Sequence, residues 1–317
     1  MPGTICQRIR VTGVVQGVGF RPFVWRLAKE LDLVGWVRNS PAGVEIEACG
    51  APPRVNALIE RLTRDAPPLA RVDDVSARPG EKSAEVAGDF LILESSGGRA
   101  ATMIGHDTAV CAACLAEMFD RKSRRWRYAF SNCTHCGPRY TISRGVPYDR
   151  ARTALASFPL CRDCREEYEQ PANRRFHAEA NCCPKCGPSL MLVDESGAQI
   201  DGDPIAETLK LLRGGGIVAM KGLGGFHLVC DATNAEAVAA LRQRKAREEK
   251  PFAVMVANVA SVPALVQVGI GEPGLLESAE RPGVLMKKRL ATDEKLPGAA
   301  PGLAWLGVML PYTPLQY

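Results

Sequence analysis

No apolar run in the sequence approaches the roughly 18 residues of a membrane span, which excludes a membrane-crossing helix. The opening segment, MPGTICQRIRV, lacks the long apolar core of a secretory leader. Charge of neither sign is in large excess: 40 basic against 35 acidic residues leave +5, spread along the chain. Such a mild balance argues against a polyanionic partner. No Gly-Lys-Ser/Thr follows a glycine-rich turn, so there is no P-loop. The stretch 111–188 is poor in large apolar side chains and cannot build a core of its own.

What that stretch has instead is cysteine. Four CxxC pairs stand in it: Cys111/Cys114, Cys133/Cys136, Cys161/Cys164 and Cys183/Cys186. Eighteen residues separate the first pair from the second, and eighteen the third from the fourth. The stretch repeats with an offset of 50: Cys111, Cys114, Glu117, Arg124, Arg125, Cys133, Cys136, Gly137 and Pro138 recur as Cys161, Cys164, Glu167, Arg174, Arg175, Cys183, Cys186, Gly187 and Pro188. A CxxC turn presents two thiolates to one ion, and two turns close a tetrahedral structural zinc site. Eight cysteines therefore predict two structural zinc ions, each contributing roughly 10–16 kcal/mol of apparent folding free energy. Spacing leaves open whether the pairs combine within each repeat or between repeats. A disulfide scaffold needs an oxidising compartment and denser cysteine, and a redox CxxC occurs singly. Cys6, Cys49, Cys182 and Cys230 lie off the register. Reduced thiols and the missing leader predict a cytoplasmic protein.

At 317 residues the chain has room for two or three domains. Residues 4–13 alternate as a strand. The segment QGVGFRP is a glycine loop opening a helix, with Pro22 in its first turn and Phe23, Leu27 and Leu31 at helical spacing. GWVRN and GVEIEACG read as a hairpin around Ser40-Pro41-Ala42-Gly43. A second amphipathic helix covers 55–66, and ARVDDVSARP and FLILES read as strands. The order strand–helix–strand–strand–helix–strand is the ferredoxin-like pattern.

Backbone N–H groups at a helix start cradle a phosphate, here from Gln16, Gly17, Val18, Gly19 and Phe20. Arg21 can add a bidentate, permanently charged clamp. Asn39, at the end of the neighbouring strand, can donate and accept, and so can orient a water. The bland alternative makes the glycines a turn, pairs Arg21 with an acid and uses Asn39 as a hairpin cap.

VTGVVQGVGFRPFVWRLA together with GWVRNSPAGVEIEACG resembles the acylphosphatases over residues 4–94. The resemblance makes Arg21 the phosphate-binding arginine and Asn39 the water-positioning residue. An acylphosphatase module joined to CxxC pairs spaced 18, 24 and 18 resembles one larger family, the HypF carbamoyltransferases of nickel–iron hydrogenase maturation.

Residues 95–110 read as a linker, with His106 and Asp107 as solvated linker residues. RRWRYAF (124–130) and RRFHAE (174–179) mix arginine with aromatics, which could stack on nucleic-acid bases. Packed aromatics ringed by solvated arginines fit the slight net basicity better. Beyond residue 200 the pattern is α/β: DPIAETLKLLRGG a helix, IVAMKGLGG a buried strand into a turn, AEAVAALRQRKAREE a helix, PFAVMV and GVLMKKR strands. Lys221, Arg244, Lys245, Arg247 and Lys250 suit a triphosphate, although charge runs usually face water. IVAMKGLGGFHLVCDATN, RQRKAREEKPFAVMV and LGVMLPYTPLQY resemble YrdC-type domains. That likeness assigns Lys245, Arg247, Lys250 and Pro251 to the element that binds ATP and a carbamoyl group, although Arg and Lys stand one residue closer than in stand-alone YrdC proteins; Lys221 joins the candidate nucleotide and carbamoyl ligands on the chemistry of its strand end. The later Ser-x-Asn element is missing, and the end at Gln316-Tyr317 reads as a cut inside the domain.

The expected architecture is thus α+β and multidomain: an acylphosphatase-like domain (1–94), a linker (95–110), a duplicated zinc module (111–190) and an incomplete YrdC-like domain (200–317). The resemblance implies a carbamoyltransferase that splits carbamoyl phosphate, forms carbamoyl adenylate from ATP with Mg2+, and carbamoylates the C-terminal cysteine of a HypE-type acceptor. No membrane is expected, and nucleic acid is the less favoured partner. The competing functions are a zinc-dependent RNA-binding or tRNA-modifying YrdC-type protein, and an inert scaffold whose cut nucleotide domain binds nothing.

Overall fold

A computed structural model of the chain describes residues 3–83, 88–98, 102–247 and 249–317. These fall into two compact units. One comprises Met1–Asp107, Cys111–Trp126 and Phe130–Gly187; the other comprises Thr108–Val110, Arg127–Ala129 and Pro188–Tyr317. The metal module and the N-terminal fold therefore share one unit.

The first unit opens with β1 (Ile5–Val14), α1 (Phe20–Glu30), β2 (Val34–Ser40), β3 (Gly43–Gly50), α2 (Pro52–Arg64), β4 (Arg71–Pro79) and β5 (Phe90–Ile92). The sheet order is β4-β1-β3-β2-β5, the ferredoxin-like arrangement with β5 added parallel to β2. The hairpin closes at Ser40 opposite Gly43, where the sequence places its turn. Period-2 alternation puts Ile9, Val11, Val37, Val44 and Ile46 on one face. Against them pack Val24, Leu27 and Ala28 of α1 and Val55, Leu58 and Leu62 of α2. The buried stripe of α1 is thus offset from the expected Phe23–Leu27–Leu31 line: Phe23 and Leu31 pack only at its edge, while Phe20 is enclosed. Cys6 and Cys49 face each other in the β1–β3 register and form a disulfide. The expectation of uniformly reduced thiols therefore fails at this one pair, because the register sets two cysteines opposite each other on one sheet face.

The rest of this unit has little regular structure: α3 (Ala112–Phe119) and α4 (Arg162–Glu169) each begin just after the first cysteine of a CxxC pair. The 95–110 segment is not a free linker where it is described. Thr102 Oγ1 donates to the Gly13 carbonyl, and Gln16 bridges to Ile104. Asp107 accepts from the backbone of Arg139 and Thr141, so it is a structural acceptor and not a solvated residue.

The second unit holds α5 (Pro204–Arg213), β6 (Val218–Gly222), β7 (Gly225–Val229), α6 (Ala235–Arg244), β8 (Ala253–Met255), α7 (Glu272–Glu277), β9 (Val284–Lys287), α8 (Thr292–Lys295) and β10 (Trp305–Met309). Asp203 caps α5 through the N–H groups of Ile205 and Ala206. The order β8-β10-β9 gives a mixed three-stranded sheet over Val254, Leu276, Met286, Leu306 and Val308. Among the described residues β6 and β7 pair only with each other, and β6 is half-exposed, not the buried strand expected from its apolar run. No described helix is long and apolar enough to cross a membrane.

Candidate functional site

The four CxxC pairs combine within each repeat. Cys111, Cys114, Cys133 and Cys136 form one group and Cys161, Cys164, Cys183 and Cys186 the other, with all four sulfurs of a group within 4.8 Å of one another. A tetrahedral ion with Zn–S bonds of about 2.3 Å sets sulfurs about 3.8 Å apart. The observed separations of 3.8, 3.7 and 3.4 Å in the first group and 3.8, 3.8 and 3.6 Å in the second fit that demand. Four thiolates leave no open coordination position, so the metal these groups suit is structural.

The arginines cross between repeats. Arg124 and Arg125 of the first reach Cys164 Sγ and Glu167 of the second. Arg174 and Arg175 of the second reach Cys114 Sγ and Glu117 of the first. Even the main-chain partners are related by 50: Arg125 Nε donates to the Cys182 carbonyl and Arg175 Nε to that of Asn132. The expectation of solvated arginines therefore fails at Arg125 and Arg175, which are buried, while Arg124, Arg174 and Arg127 stay partly exposed. Zinc with four thiolates carries −2, and the exchanged guanidinium groups compensate that buried charge. Burial pushes the Glu167 carboxyl up, but bonds from Arg125 and Arg124 overcome it and hold its pKa at about 2.

The loop between β1 and α1 lies against this module. Gly17 and Gly19 have φ of 74° and 76°, a left-handed backbone that glycine adopts without a Cβ penalty. Val18 and Phe20 send their side chains into the core. The Gln16 amide donates to the carbonyls of Ser40 (2.8 Å) and Gly43 (2.9 Å) and accepts from Tyr148 N–H (2.9 Å). Arg139 donates to the Gly17 carbonyl and also to Cys133 O (2.8 Å), tying the loop to the first cysteine group.

Arg21 is buried. Its Nη2 donates to Glu179 Oε1 at 2.7 Å and to Tyr148 O at 3.4 Å, and its Nη1 lies 3.1 Å from Asp149 Oδ1. Burial works against the Arg21 charge, but Glu179 and Asp149 outweigh it and raise the pKa. Asn39 Nδ2 also donates to Tyr148 O, at 3.2 Å, while its buried Oδ1 has no partner among the described residues. Gly17, Gly19, Arg21, Asn39, Tyr148 and Glu179 surround a cavity of about 20 Å3, room for one water.

Three family models match the chain. The acylphosphatase model covers residues 7–92, the HypF finger model covers 110–143 and 160–193, and a Sua5/YciO/YrdC model described as telomere recombination covers 210–317. The carbamoyltransferase HypF2 of Cupriavidus necator is 62% identical over the whole chain, and the carbamoyltransferase HypF of Rhodobacter capsulatus is 49% identical over 98% of it. A crystal structure of full-length HypF in the phosphate- and nucleotide-bound form superposes on all of the chain with a TM-score of 0.92 at 42% identity. The chain belongs to the HypF family of carbamoyltransferases. It spans about two fifths of these relatives: 39% of HypF2, 41% of the R. capsulatus protein and 41% of the crystallised one. An acylphosphatase of Caldivirga maquilingensis is 51% identical over 76 residues, which cover 79% of that protein.

In the second unit, α6 stops at Arg244, earlier than the charge run suggests. Lys245 caps it and Ala246 turns left-handed at φ 45°. Arg247 therefore sits in a loop, where its Nε donates to Lys250 O (3.1 Å) and its Nη2 to Pro251 O (2.7 Å), with its guanidinium 5.0 Å from the Phe252 ring. Lys245 and Lys250 are exposed. Lys221 lies on β6 with its Nζ 5.7 Å from the Phe226 ring, and among the described residues no hydrogen bond or ion pair joins it to that loop. Reading the sequence for function missed Glu179, Asp149, Tyr148 and Arg139. The repeat did not single out Glu179: its counterpart 50 residues earlier is Ala129, but every residue from 126 to 130 differs from its counterpart at 176 to 180.

Proposed function

We propose that the N-terminal part of this chain hydrolyses carbamoyl phosphate and that the protein passes the product to a nucleotide site. The cavity on which Arg21, Asn39 and the Gln16–Phe20 loop converge supports this reading. Arg21 binds the phosphoryl oxygens with the loop N–H groups, and the free Oδ1 of Asn39 accepts from the attacking water. Water adds, the acyl–phosphate link breaks, and phosphate and carbamate leave.

The second unit then takes carbamate and ATP, with Mg2+, to carbamoyl adenylate and pyrophosphate. Lys221, Lys245, Arg247 and Lys250 hold the nucleotide phosphates and the carbamoyl group. The thiolate of a HypE-type acceptor displaces AMP from the adenylate, using parts of the family beyond this chain. The proposed boundaries are 1–94 for the acylphosphatase-like domain, 111–190 for the zinc module and 200–317 for the YrdC-like domain, in a cytoplasmic protein. Two zinc ions on the cysteine groups hold the module together. An RNA-binding role loses its main support, because Arg124, Arg125, Arg174 and Arg175 are committed to carboxylates and sulfurs.

Arg21→Ala tests the reading. Phosphate release from carbamoyl phosphate is expected to fall at least ~10²-fold, the usual cost of a transition-state charge contact, with two zinc ions retained. Wild-type turnover in that variant would refute the assignment of the site.

A further inference from the structure

We propose that Glu179, supplied by the metal module, is a positioning residue of the acyl-phosphate site: it fixes the guanidinium of Arg21 for the reaction. This rests on the reading of Arg21 as the phosphate-binding group.

The carboxylate is held on all sides. Glu179 is 5% exposed. Its Oε1 accepts from Arg21 Nη2 at 2.7 Å, its Oε2 from the Arg150 N–H at 3.0 Å, and the Tyr168 hydroxyl lies 3.2 and 3.1 Å from the two oxygens. Its main chain is pinned as well, since Arg150 Nη1 donates to the carbonyls of Glu179 and Asn181 at 2.8 Å each. Swinging Glu179 away strands buried donors, which is costly. Asp149 is the looser partner, with a side chain 26% exposed and 3.1 Å from Arg21. Glu179 is therefore the anchor and Asp149 the group free to yield when an anion enters.

The donor count on Arg21 points the same way. Of its five N–H donors, three meet Glu179, Tyr148 O and Asp149, which leaves two for an anion. These two sit on Nη1 and Nε, and where they point is decided by the group that cannot move. Arg21 and Asn39 also share Tyr148 O as a partner, so a fixed guanidinium stands in a fixed relation to the amide facing the cavity.

Two other roles are disfavoured. Three donors already occupy most of the acceptor sites of Glu179, which leaves it poorly placed to serve an attacking water. Its charge repels a phosphate, so it does not serve affinity. What remains is orientation, and orientation shows in kcat more than in ground-state binding.

The test measures carbamoyl phosphate hydrolysis, inhibition by inorganic phosphate and zinc content on the whole chain. Glu179→Gln is expected to lower kcat roughly 10²-fold, the scale of a small misplacement of a catalytic group. Its inhibition constant for phosphate should stay within about threefold or tighten, because a repelling charge has gone. Tyr168→Phe, which removes one donor to Glu179, should fall in between. Unchanged kcat in Glu179→Gln with two zinc ions bound overturns the proposal, and so does weaker phosphate binding at constant kcat. Should Glu179→Gln lose its metal, Tyr168→Phe decides: a wild-type kcat there overturns it too. Arg21→Ala separates the two levels. If it is inactive and Glu179→Gln is fully active, only the role of Glu179 falls; if it is active, the reading of the whole site falls.

Discussion

At the scale of single residues, burial governs the neighbourhood of Arg21. His177 follows the exchanged arginine pair with φ 52°, mirroring Arg127 at 54° in the first repeat. Its ring lies 4.7 Å from that of Phe176 and 4.9 Å from that of Tyr168. Burial first, and then the Arg21 charge, push its pKa down to about 4 from 6.5. The folded state thus holds a neutral imidazole that the unfolded chain protonates first. The stability that this group contributes is complete above pH 6.5 and is lost as pH falls through about 4. The limit is 2.5 pK steps (6.5 − 4), or about 3 kcal/mol. His177→Asn keeps a residue tolerant of positive φ. It should flatten the decline of the urea midpoint between pH 6.5 and 4 in excess zinc. Superimposable profiles for wild type and variant would contradict the burial account.

At the scale of elements, the arginine exchange makes the two repeats depend on each other. Each cysteine group is complete within its own repeat, yet the guanidinium groups that reach its sulfur come from the other. Arg125→Ala should therefore weaken the metal of the second group, not the first, by roughly 10- to 100-fold, the usual cost of losing an outer-shell partner. It leaves Glu167 short of a partner in a buried place, so a stability loss of about 3–5 kcal/mol should accompany it. Arg175→Ala should weaken the first group instead. Timed release to a chromophoric chelator, with each variant giving up one equivalent early, checks both. Early loss from the group in the same repeat as the substitution would show that the exchange carries no energetic weight. Between β1 and α1, Gly17 and Gly19 supply the backbone turn, and Gln16 and Arg139 hold it to the β2–β3 turn and to the first cysteine group.

At the scale of the whole molecule, the metal module and the N-terminal fold make one unit because the module reaches the site of the other through Glu179, Tyr148, Asp149 and Arg139. Stripping both metals with a chelator should accordingly abolish phosphate release from carbamoyl phosphate, and restoring two equivalents of zinc should recover it. Turnover that survives the loss of metal would mean that the module is dispensable to the site. Much of this organisation was legible beforehand. Four CxxC pairs in register dictate closed metal sites, because thiolate coordination depends on local spacing. The strand–helix order with its glycine loop likewise dictates a ferredoxin-like sheet with Arg21 at the start of α1. Local pattern carried less weight beyond residue 200: the end of α6 and the exposure of β6 followed from tertiary surroundings. What sequence alone determined was everything set by spacing along the chain. Only the tertiary structure decided which cysteine pairs share a site, that the arginines cross between repeats, and that Glu179 closes on Arg21 from 158 residues away. The reason is physical: coordination turns and helix starts are short-range geometry, whereas a buried charge takes whichever opposite charge the packed chain brings to it.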